Sequence, residues 1–239
     1  MAIINEHTVK AFDADLNRLR GLISEMGGRA EQALIQAMSA LANGDRALAA
    51  EVVECDKTID ALESEVERLA VQTIALRAPM ADDLREMIAA LKIVSVVERI
   101  GDYAKNIAKR VALMDPARSI EAIPVLTSMS SLVAELIHDA LDSFAARDTE
   151  LALRVTVRDK TVDDFYNSIF RTLVTFMMEN PRHITESAHL LFVAKNLERM
   201  GDHATNIAEM VYYAVTGERM EERERGEQPE DGVAEREQG

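Results

Sequence analysis

The chain has 239 residues, 48% of them hydrophobic, and a formal net charge of −15 at pH 7. That length and composition suffice for a sizeable core, whereas the charge argues against nucleic-acid binding and against unaided adhesion to anionic lipid. The single cysteine, Cys55, excludes an internal disulfide and a cysteine-based zinc site, and we expect it to be a small apolar residue on a helix.

Helices are favoured over strands throughout, because aromatic residues make up only 4% of the chain and Ala, Leu, Glu and Arg are frequent. No segment has the roughly 18 consecutive apolar residues that a membrane-spanning helix needs. The N-terminus also lacks the basic start and apolar run of a signal peptide. We therefore expect a soluble, cytoplasmic protein.

Apolar residues recur at three- and four-residue spacing, which predicts three long helices in the first half of the chain. The first helix is predicted over 6–41, and the Asn-Gly-Asp sequence at 43–45 ends it and caps the second. The second helix is predicted to end near Pro79, and the third to begin at Asp82 or Asp83.

The same spacing predicts three more helices after a proline-containing break in the middle of the chain. The fourth helix is predicted over 118–146, and the fifth begins after Asp148 and ends near Asn180. The sixth is predicted over 184–215, and Gly217 closes it.

Two segments of the second half repeat segments of the first. Residues 98–108, ERIGDYAKNIA, and residues 198–208, ERMGDHATNIA, are identical at eight of eleven positions at an offset of 100. Residues 56–60, DKTID, and residues 159–163, DKTVD, match at an offset of 103. The chain is therefore predicted to be a duplication of a three-helix unit, with an all-α fold of two tandem three-helix bundles.

This repeat predicts a first three-helix unit at 1–115, a second at 116–216 and an acidic tail at 217–239. The tail has nine acidic residues and four arginines, and its few apolar residues predict that it stays outside the folded core. Helices of about 30 residues favour elongated antiparallel packing.

Four pairs of acidic residues occupy corresponding places in the two units, and the members of each pair are stacked on one helix face by their spacing of four. The pairs are Asp56 and Asp60, Glu98 and Asp102, Asp159 and Asp163, and Glu198 and Asp202. Like charges at this spacing repel, and carboxylate oxygens are preferred ligands of hard cations. We therefore predict that these faces bind metal cations, for which magnesium, manganese, iron and zinc are all suited.

The repeated segments also contain residues that could support the acidic faces. Asn106 and Asn206 lie one turn further along and are weaker candidate ligands. Gly101 and Gly201 indicate the close approach of another backbone or of a bound cluster, because glycine is unfavourable inside a helix. His203 replaces a tyrosine of the first unit and could add a ligand to one site only.

Two other interpretations stay open. Glu135-x-x-His138 and Glu186-x-x-His189 are sequences of the kind found in ferritin-like di-iron bundles, although they do not occupy corresponding positions in the repeat. Alternatively, the acids are solvated or paired with Arg and Lys in a metal-free helical scaffold. No phosphate loop or catalytic set can be assembled, so we predict that the chain is not an enzyme.

These motifs resemble those of the PhoU family of phosphate-transport regulators, over nearly the whole body from His7 to Val215. The segments ERIGDYAKNIA and ERMGDHATNIA carry the Glu/Asp-x-x-x-Asp pattern that the family uses for metal. Residues 77–85 resemble the loop before the family's third helix. Residues 181–184 depart from the Asp-Leu-Arg segment of that loop, so its role is not carried over to the second half.

The resemblance implies two three-helix bundles with pseudo-twofold symmetry, often dimeric, that bind iron, zinc or other metals in multinuclear clusters at the acidic pairs. It also implies negative regulation of phosphate uptake and of the phosphate-starvation response. The implied partners are the ATPase subunit of a phosphate ABC transporter and a sensor histidine kinase.

Overall fold

The computed structural model describes the backbone of residues 2–114 and 122–220, with side chains from residue 11 onward in those ranges. Within them the chain forms six long helices and no strand: α1 (Ala2–Asn43), α2 (Arg46–Arg77), α3 (Asp82–Val111), α4 (Ile123–Ala146), α5 (Thr149–Glu179) and α6 (Ile184–Thr216). A short 3₁₀ turn, Pro181–His183, precedes α6. The predicted all-α class is confirmed, and none of these described helices has an apolar stretch long enough to cross a membrane.

The helix ends follow the predicted capping residues. Asp45 accepts hydrogen bonds from two backbone N–H groups in the first turn of α2, both at 3.0 Å. The sequence predicts only that α5 begins after Asp148, and the structure shows that Asp148 also caps α5 in the same way, with both distances at 2.9 Å. Gly44 and Gly217 have φ values of 65° and 78°, the left-handed conformation that suits glycine after a helix.

The beginning of α4 differs from the prediction. This helix starts at Ile123 instead of residue 118, with Pro124 in its first turn, where the missing N–H of proline is tolerated. Residues 115–121, which contain the predicted boundary between the two units, lie outside the described residues, as does the tail from 221 onward. The domain boundaries and the separate acidic tail therefore stay predictions.

Four helices form the centre of the molecule. Helix α1 packs on α3, α3 on α6, α6 on α4, and α4 on α1, so the four helices close a ring around one continuous core. Helix α2 packs against α1 and α3, and α5 packs against α4 and α6. Within the described ranges, α2 and α5 do not touch. The predicted three-helix units are present, and they share a core instead of standing apart.

The predicted apolar stripes form this core, with one exception on α2. The stripe residues of α3 and α6 are buried: Ile93, Val97, Ile100, Ala104, Ile107, Val111, Leu190, Val193, Leu197, Met200, Ala204, Ile207 and Val211. The prediction for Cys55 is wrong, because Cys55 is exposed and its neighbour Asp56 is only 6% exposed. The buried face of α2 passes through Val52, Asp56 and Ile59, which are four and three residues apart as a helix face requires.

Corresponding residues of the two units meet between α3 and α6. Tyr103 and His203 stack with their ring centroids 5.5 Å apart and their planes at 18°. An axis that exchanges the two units must pass close to this stack, because the stack joins one position of the repeat to its own copy. The contact agrees with the pseudo-twofold arrangement that the resemblance implies.

A buried carboxylate joins the two units. Glu86 on α3 is 3% exposed and accepts hydrogen bonds from Arg20 of α1 and from Arg147, which follows α4. The Nε atom of Arg20 and the Nη1 atom of Arg147 both lie 2.7 Å from a Glu86 oxygen. Arg147 has a φ of 57° at the position that Gly44 holds in the first unit. A left-handed conformation is unfavourable for arginine, so the backbone is strained where this contact is made.

Helices α1 and α4 approach closely at Gly27, which is buried against Leu141. A Cβ atom at Gly27 would lie 3.1 Å from Leu141 Cδ2 and nearer still to Cδ1. The next residue, Gly28, is exposed, and no heavy atom lies within 4 Å of the corresponding position. Packing therefore requires glycine at Gly27 but not at Gly28.

Candidate functional site

Five carboxylates gather between α2 and α3 and are called the first-half cluster: Asp56, Asp60, Glu63, Glu98 and Asp102. Four of the five are the predicted acidic pairs of the first unit. Burial, followed by the charges of the other four members, raises the pKa of Glu98 to about 7. Glu63 was missed by the sequence reading, although it lies three residues after Asp60 and therefore on the same helix face.

A lysine lies inside the first-half cluster. The Nζ atom of Lys105 donates to Asp102 Oδ1 at 2.6 Å on its own helix and to Asp56 Oδ2 at 2.5 Å across on α2. The hydrogen bonds to Asp102 and Asp56 raise the pKa of Lys105 above its ordinary value, so its ammonium stays charged. One end of the cluster is thus neutralised by the chain itself, while Glu98 remains beside Asp60 and Glu63.

The second-half cluster lies between α5 and α6 and contains the predicted pairs Asp159, Asp163, Glu198 and Asp202. Asp159 is buried, at 3% exposure. The pKa of Asp202 is raised to about 6, chiefly by burial of the Asp202 carboxylate and then by the charges of Glu198, Asp159 and Asp163. The Asp202 residue as a whole keeps exposed surface. Lys195 donates to Glu198 Oε1 at 2.6 Å, at the other end of the Glu-x-x-x-Asp motif.

The two mid-helix glycines let these clusters form. A Cβ atom at Gly101 would lie 2.8 Å from Ile59 Cδ1 on α2. At Gly201 it would lie 2.9 Å from Asp159 Oδ1 and 3.2 Å from Val162 Cγ1 on α5. A close approach is present at both glycines, but the prediction that another backbone or a bound cluster approaches them is wrong, because the nearest groups are side chains of a neighbouring helix. The glycines bring α3 onto α2 and α6 onto α5, which places the acids of the paired helices side by side.

The two weaker candidate ligands, Asn106 and Asn206, have different surroundings. Asn106 is exposed, and Asn206 Nδ2 lies 3.4 Å from His203 Nδ1. Burial, followed by the charges of Arg99 and Arg199, lowers the pKa of His203. His203 therefore favours the neutral form in its stack against the tyrosine of the first unit.

The donors of both clusters fit a cation in chemical type. Each cluster offers carboxylate oxygens from two helices, and Glu198 Oε2 is buried without a hydrogen-bond partner in the described part of the chain. Within that same part, no three His, Cys, Asp or Glu side chains converge on one point as they would around a bound ion. The metal sites of the eight predicted acids stay a prediction.

The two Glu-x-x-His sequences have unrelated surroundings. Glu135 pairs with Arg158, whose Nη2 lies 2.5 Å from Glu135 Oε2. His189 Nδ1 lies 3.2 Å from Arg110 Nη1, on another pair of helices. His138 contacts Glu31 of α1. These contacts give no support to a di-iron centre built from the two sequences.

His138 gives the α1–α4 contact a predictable pH dependence. Its Nδ1 atom lies 3.2 Å from Glu31 Oε2, and this hydrogen bond is the largest cause that raises the His138 pKa above 6.5. The folded chain therefore holds the proton more tightly than the unfolded chain. The resulting stabilisation is complete below pH 6.5 and is lost as the pH rises through the folded-state pKa.

We expect the stability advantage of the wild-type chain over the His138→Gln variant to shrink between about pH 6 and pH 8, measured by urea denaturation. The effect should be small, because the His138 side chain is 59% exposed. Glu31→Gln should abolish the same pH-dependent difference. An advantage that is constant over this range would contradict the assignment.

Comparison with known proteins gives a consistent result. A family model described as the PhoU domain matches the chain twice, over residues 23–111 and 126–211. A phosphate-specific transport system accessory protein PhoU homolog from Zymomonas mobilis is 56% identical over 220 residues, which is 92% of this chain and 93% of that protein.

Two solved structures are also similar to the whole helical body. The crystal structure of PhoU from Pseudomonas aeruginosa has a TM-score of 0.83 at 40% identity and covers 87% of this chain and 100% of that chain. That of the phosphate transport system regulatory protein PhoU from Streptococcus pneumoniae has a TM-score of 0.82 at 27% identity, over 88% and 99%. Each of the two family matches falls within one three-helix unit.

Proposed function

Since the chain belongs to the PhoU family, we propose that it is a regulator of phosphate transport that represses phosphate uptake and the phosphate-starvation response when phosphate is plentiful. The observation that carries this proposal is the family match over both three-helix units. The names of the relatives, a phosphate transport accessory protein and a phosphate transport regulatory protein, support it.

In this proposal the chain is a cytoplasmic, non-catalytic and homodimeric adaptor. Its partners are the ATPase subunit of a phosphate ABC transporter and a sensor histidine kinase. The helix arrangement supports an adaptor, because α2 and α5 lie apart and give the central ring two outer surfaces within the described chain. Each outer helix carries part of one carboxylate cluster, so the two surfaces have the same chemical character.

Metal cations are part of the proposal. Asp56, Asp60, Glu98 and Asp102 would hold a metal in the first half, and their counterparts would do so in the second: Asp159, Asp163, Glu198 and Asp202. Iron or zinc is the proposed metal, and magnesium or manganese would also suit carboxylate oxygens. A bound metal would supply positive charge that offsets the repulsion among the acids.

The regulatory part is tested in the organism that encodes the chain. Deleting the gene should switch on a reporter of the phosphate-starvation response in phosphate-rich medium, and the wild-type gene should switch it off again. A reporter that stays silent in the deletion strain would contradict negative regulation. Recovery of the transporter ATPase and the histidine kinase with the purified chain from phosphate-rich cells would test the adaptor role.

The metal part is tested with a quadruple variant, Glu98→Gln, Asp102→Asn, Glu198→Gln and Asp202→Asn. Metal content, measured by elemental analysis after purification without a metal column, should fall to background, and partner recovery should fall with it. The matched control removes four exposed acids outside the clusters: Asp13, Glu51, Asp164 and Glu209. Undiminished recovery of both partners by a metal-free quadruple variant would favour the metal-free scaffold instead.

A further inference from the structure

Two arginines occupy corresponding positions of the repeat beside the stack of Tyr103 on His203. Arg99 lies four residues before Tyr103 on α3, and Arg199 lies four residues before His203 on α6. Residues four apart share one face of a helix about one turn from each other. Each ring of the stack therefore has an arginine of its own helix one turn away, and both arginines are exposed.

The directions of the two helices place these arginines on opposite sides of the stack. Tyr103 stacks on His203, whereas Arg110, further along α3, contacts His189, further back along α6. Helices α3 and α6 are therefore antiparallel. One turn back from each ring leads in opposite directions along the shared surface, so the two arginines flank the stack.

Two asparagines complete this surface. Asn106 and Asn206 each lie three residues after one ring of the stack, on the same helix face. In the antiparallel pair, Asn206 is thus about level with Arg99, and Asn106 with Arg199. The Nδ2 atom of Asn206 lies 3.4 Å from His203 Nδ1, beside the stack. We call this surface the axial strip, and its residues are Arg99, Tyr103, Asn106, Arg199, His203 and Asn206.

Neither arginine of the axial strip has a hydrogen bond or an ion pair within the described part of the chain. Several other arginines pair with carboxylates, as Arg18 does with Glu65 at 2.8 Å. Burial, followed by the charges of Arg99 and Arg199, lowers the pKa of His203, so both guanidinium groups are close enough to act on one ring. Two positive groups that act on the same ring also repel each other, and an anion between them would remove that repulsion.

Two carboxylates that adjoin the axial strip in the sequence are already bound by lysines. Asp102 accepts a hydrogen bond from Lys105, and Glu198 accepts one from Lys195, both at 2.6 Å. These lysines offset part of the negative charge on either side of the strip, and the strip itself contains no carboxylate. The strip therefore offers an anion two guanidinium groups and two amides.

We propose that the axial strip binds a phosphoryl group, either inorganic phosphate or the end of a condensed phosphate, between Arg99 and Arg199. A guanidinium group can donate two parallel hydrogen bonds to phosphate oxygens, and asparagine amides can donate to the remaining ones. A phosphate group carries about two negative charges at neutral pH, which balances the two arginines, whereas a carboxylate carries one.

This inference goes beyond the proposed function, because a regulator of phosphate transport can act through its partners without binding phosphate itself. The ligand lies where the two halves of the chain meet, so both halves contribute to one site. Arg99 and Arg199 should then contribute equally to binding.

The test uses the full chain with a chelator present, so that a phosphate held by a bound metal is not counted. Isothermal titration calorimetry with inorganic phosphate, and in parallel with pyrophosphate, measures affinity in chloride buffer of constant ionic strength. The variants are Arg99→Gln, Arg199→Gln and the two combined. The matched control is the double variant Arg68→Gln/Arg171→Gln, which removes two exposed arginines at corresponding positions of α2 and α5.

We expect each single variant to weaken binding about tenfold or more, and by similar factors, and the double variant to reduce it to background. The control should bind as the wild-type chain does. The double variant Arg99→Lys/Arg199→Lys keeps both charges but loses the paired hydrogen bonds, so its affinity should lie between those of the wild-type chain and the double Gln variant. Thermal unfolding without ligand should show that all variants fold alike, because the altered residues are exposed.

Binding of phosphate, or of pyrophosphate alone, that depends on both arginines would support the proposal and identify the source of the phosphoryl group. Equal weakening by the control pair would overturn it, because the binding would then follow the overall charge of the chain. Failure of the wild-type chain to bind either anion in the chelator would also overturn it. Neither failure would affect the proposed regulatory function, which the reporter strain tests separately.

Discussion

The double variant Arg20→Met/Arg147→Met is expected to lose about 3–5 kcal/mol of unfolding free energy at neutral pH. Both arginines donate to Glu86, which is 3% exposed. Methionine keeps much of the packing volume of each arginine but removes the charge, so the Glu86 carboxylate would stay buried without a cation. Urea denaturation followed by circular dichroism measures the loss.

The controls identify buried charge as the cause. Either single substitution should cost less than the double, because the other arginine still contacts the carboxylate. Adding Glu86→Leu to the double variant should recover most of the lost stability, since an apolar group in place of the whole ion network is often neutral or better. A triple variant as unstable as the double would instead mean that lost packing, and not the unpaired carboxylate, is responsible.

Gly27→Ala is expected to cost about 1–3 kcal/mol, even though alanine is the better helix former. The added methyl group would overlap Leu141, three of whose side-chain carbons lie within 3.2 Å of the required position or closer. Leu141 is itself buried, at 7% exposure, so it has little free space into which it can move. The measurement is again the free energy of unfolding in urea.

Gly28→Ala is the matched control for this prediction. It introduces the same group one residue further along the same helix, where nothing lies within 4 Å. It should therefore raise stability by up to about 1 kcal/mol through helix propensity alone. Two variants that change stability in the same direction would contradict the close packing of α1 on α4.

The sequence predicts those features that depend on the spacing of residues along one helix. The apolar stripes and the capping aspartate Asp45 are of this kind, and the structure confirms them except at Cys55. The stacking of Glu98 on Asp102 follows from helix geometry alone.

Contacts between helices are harder to predict, because they depend on how far each helix is rotated about its own axis. On α2 the buried face differs from the predicted one by one residue, so that Cys55 is exposed and Asp56 is buried. Nothing in the sequence around Glu86 distinguishes it from a surface glutamate. The two arginines that donate to it are 66 and 61 positions away in the chain. The position of Lys105 in α3 does not predict its contact with Asp56, because that contact depends on which face of α2 lies opposite α3.

In the stack of Tyr103 on His203, the two halves meet through corresponding positions of the repeat, as two copies do in a symmetric dimer. Between two separate chains, such a contact would be a dimer interface whose occupancy falls on dilution. Here both surfaces belong to one polypeptide, so each half meets the other at a fixed, high effective concentration. The gene duplication therefore made the pairing of the halves independent of how much protein the cell contains.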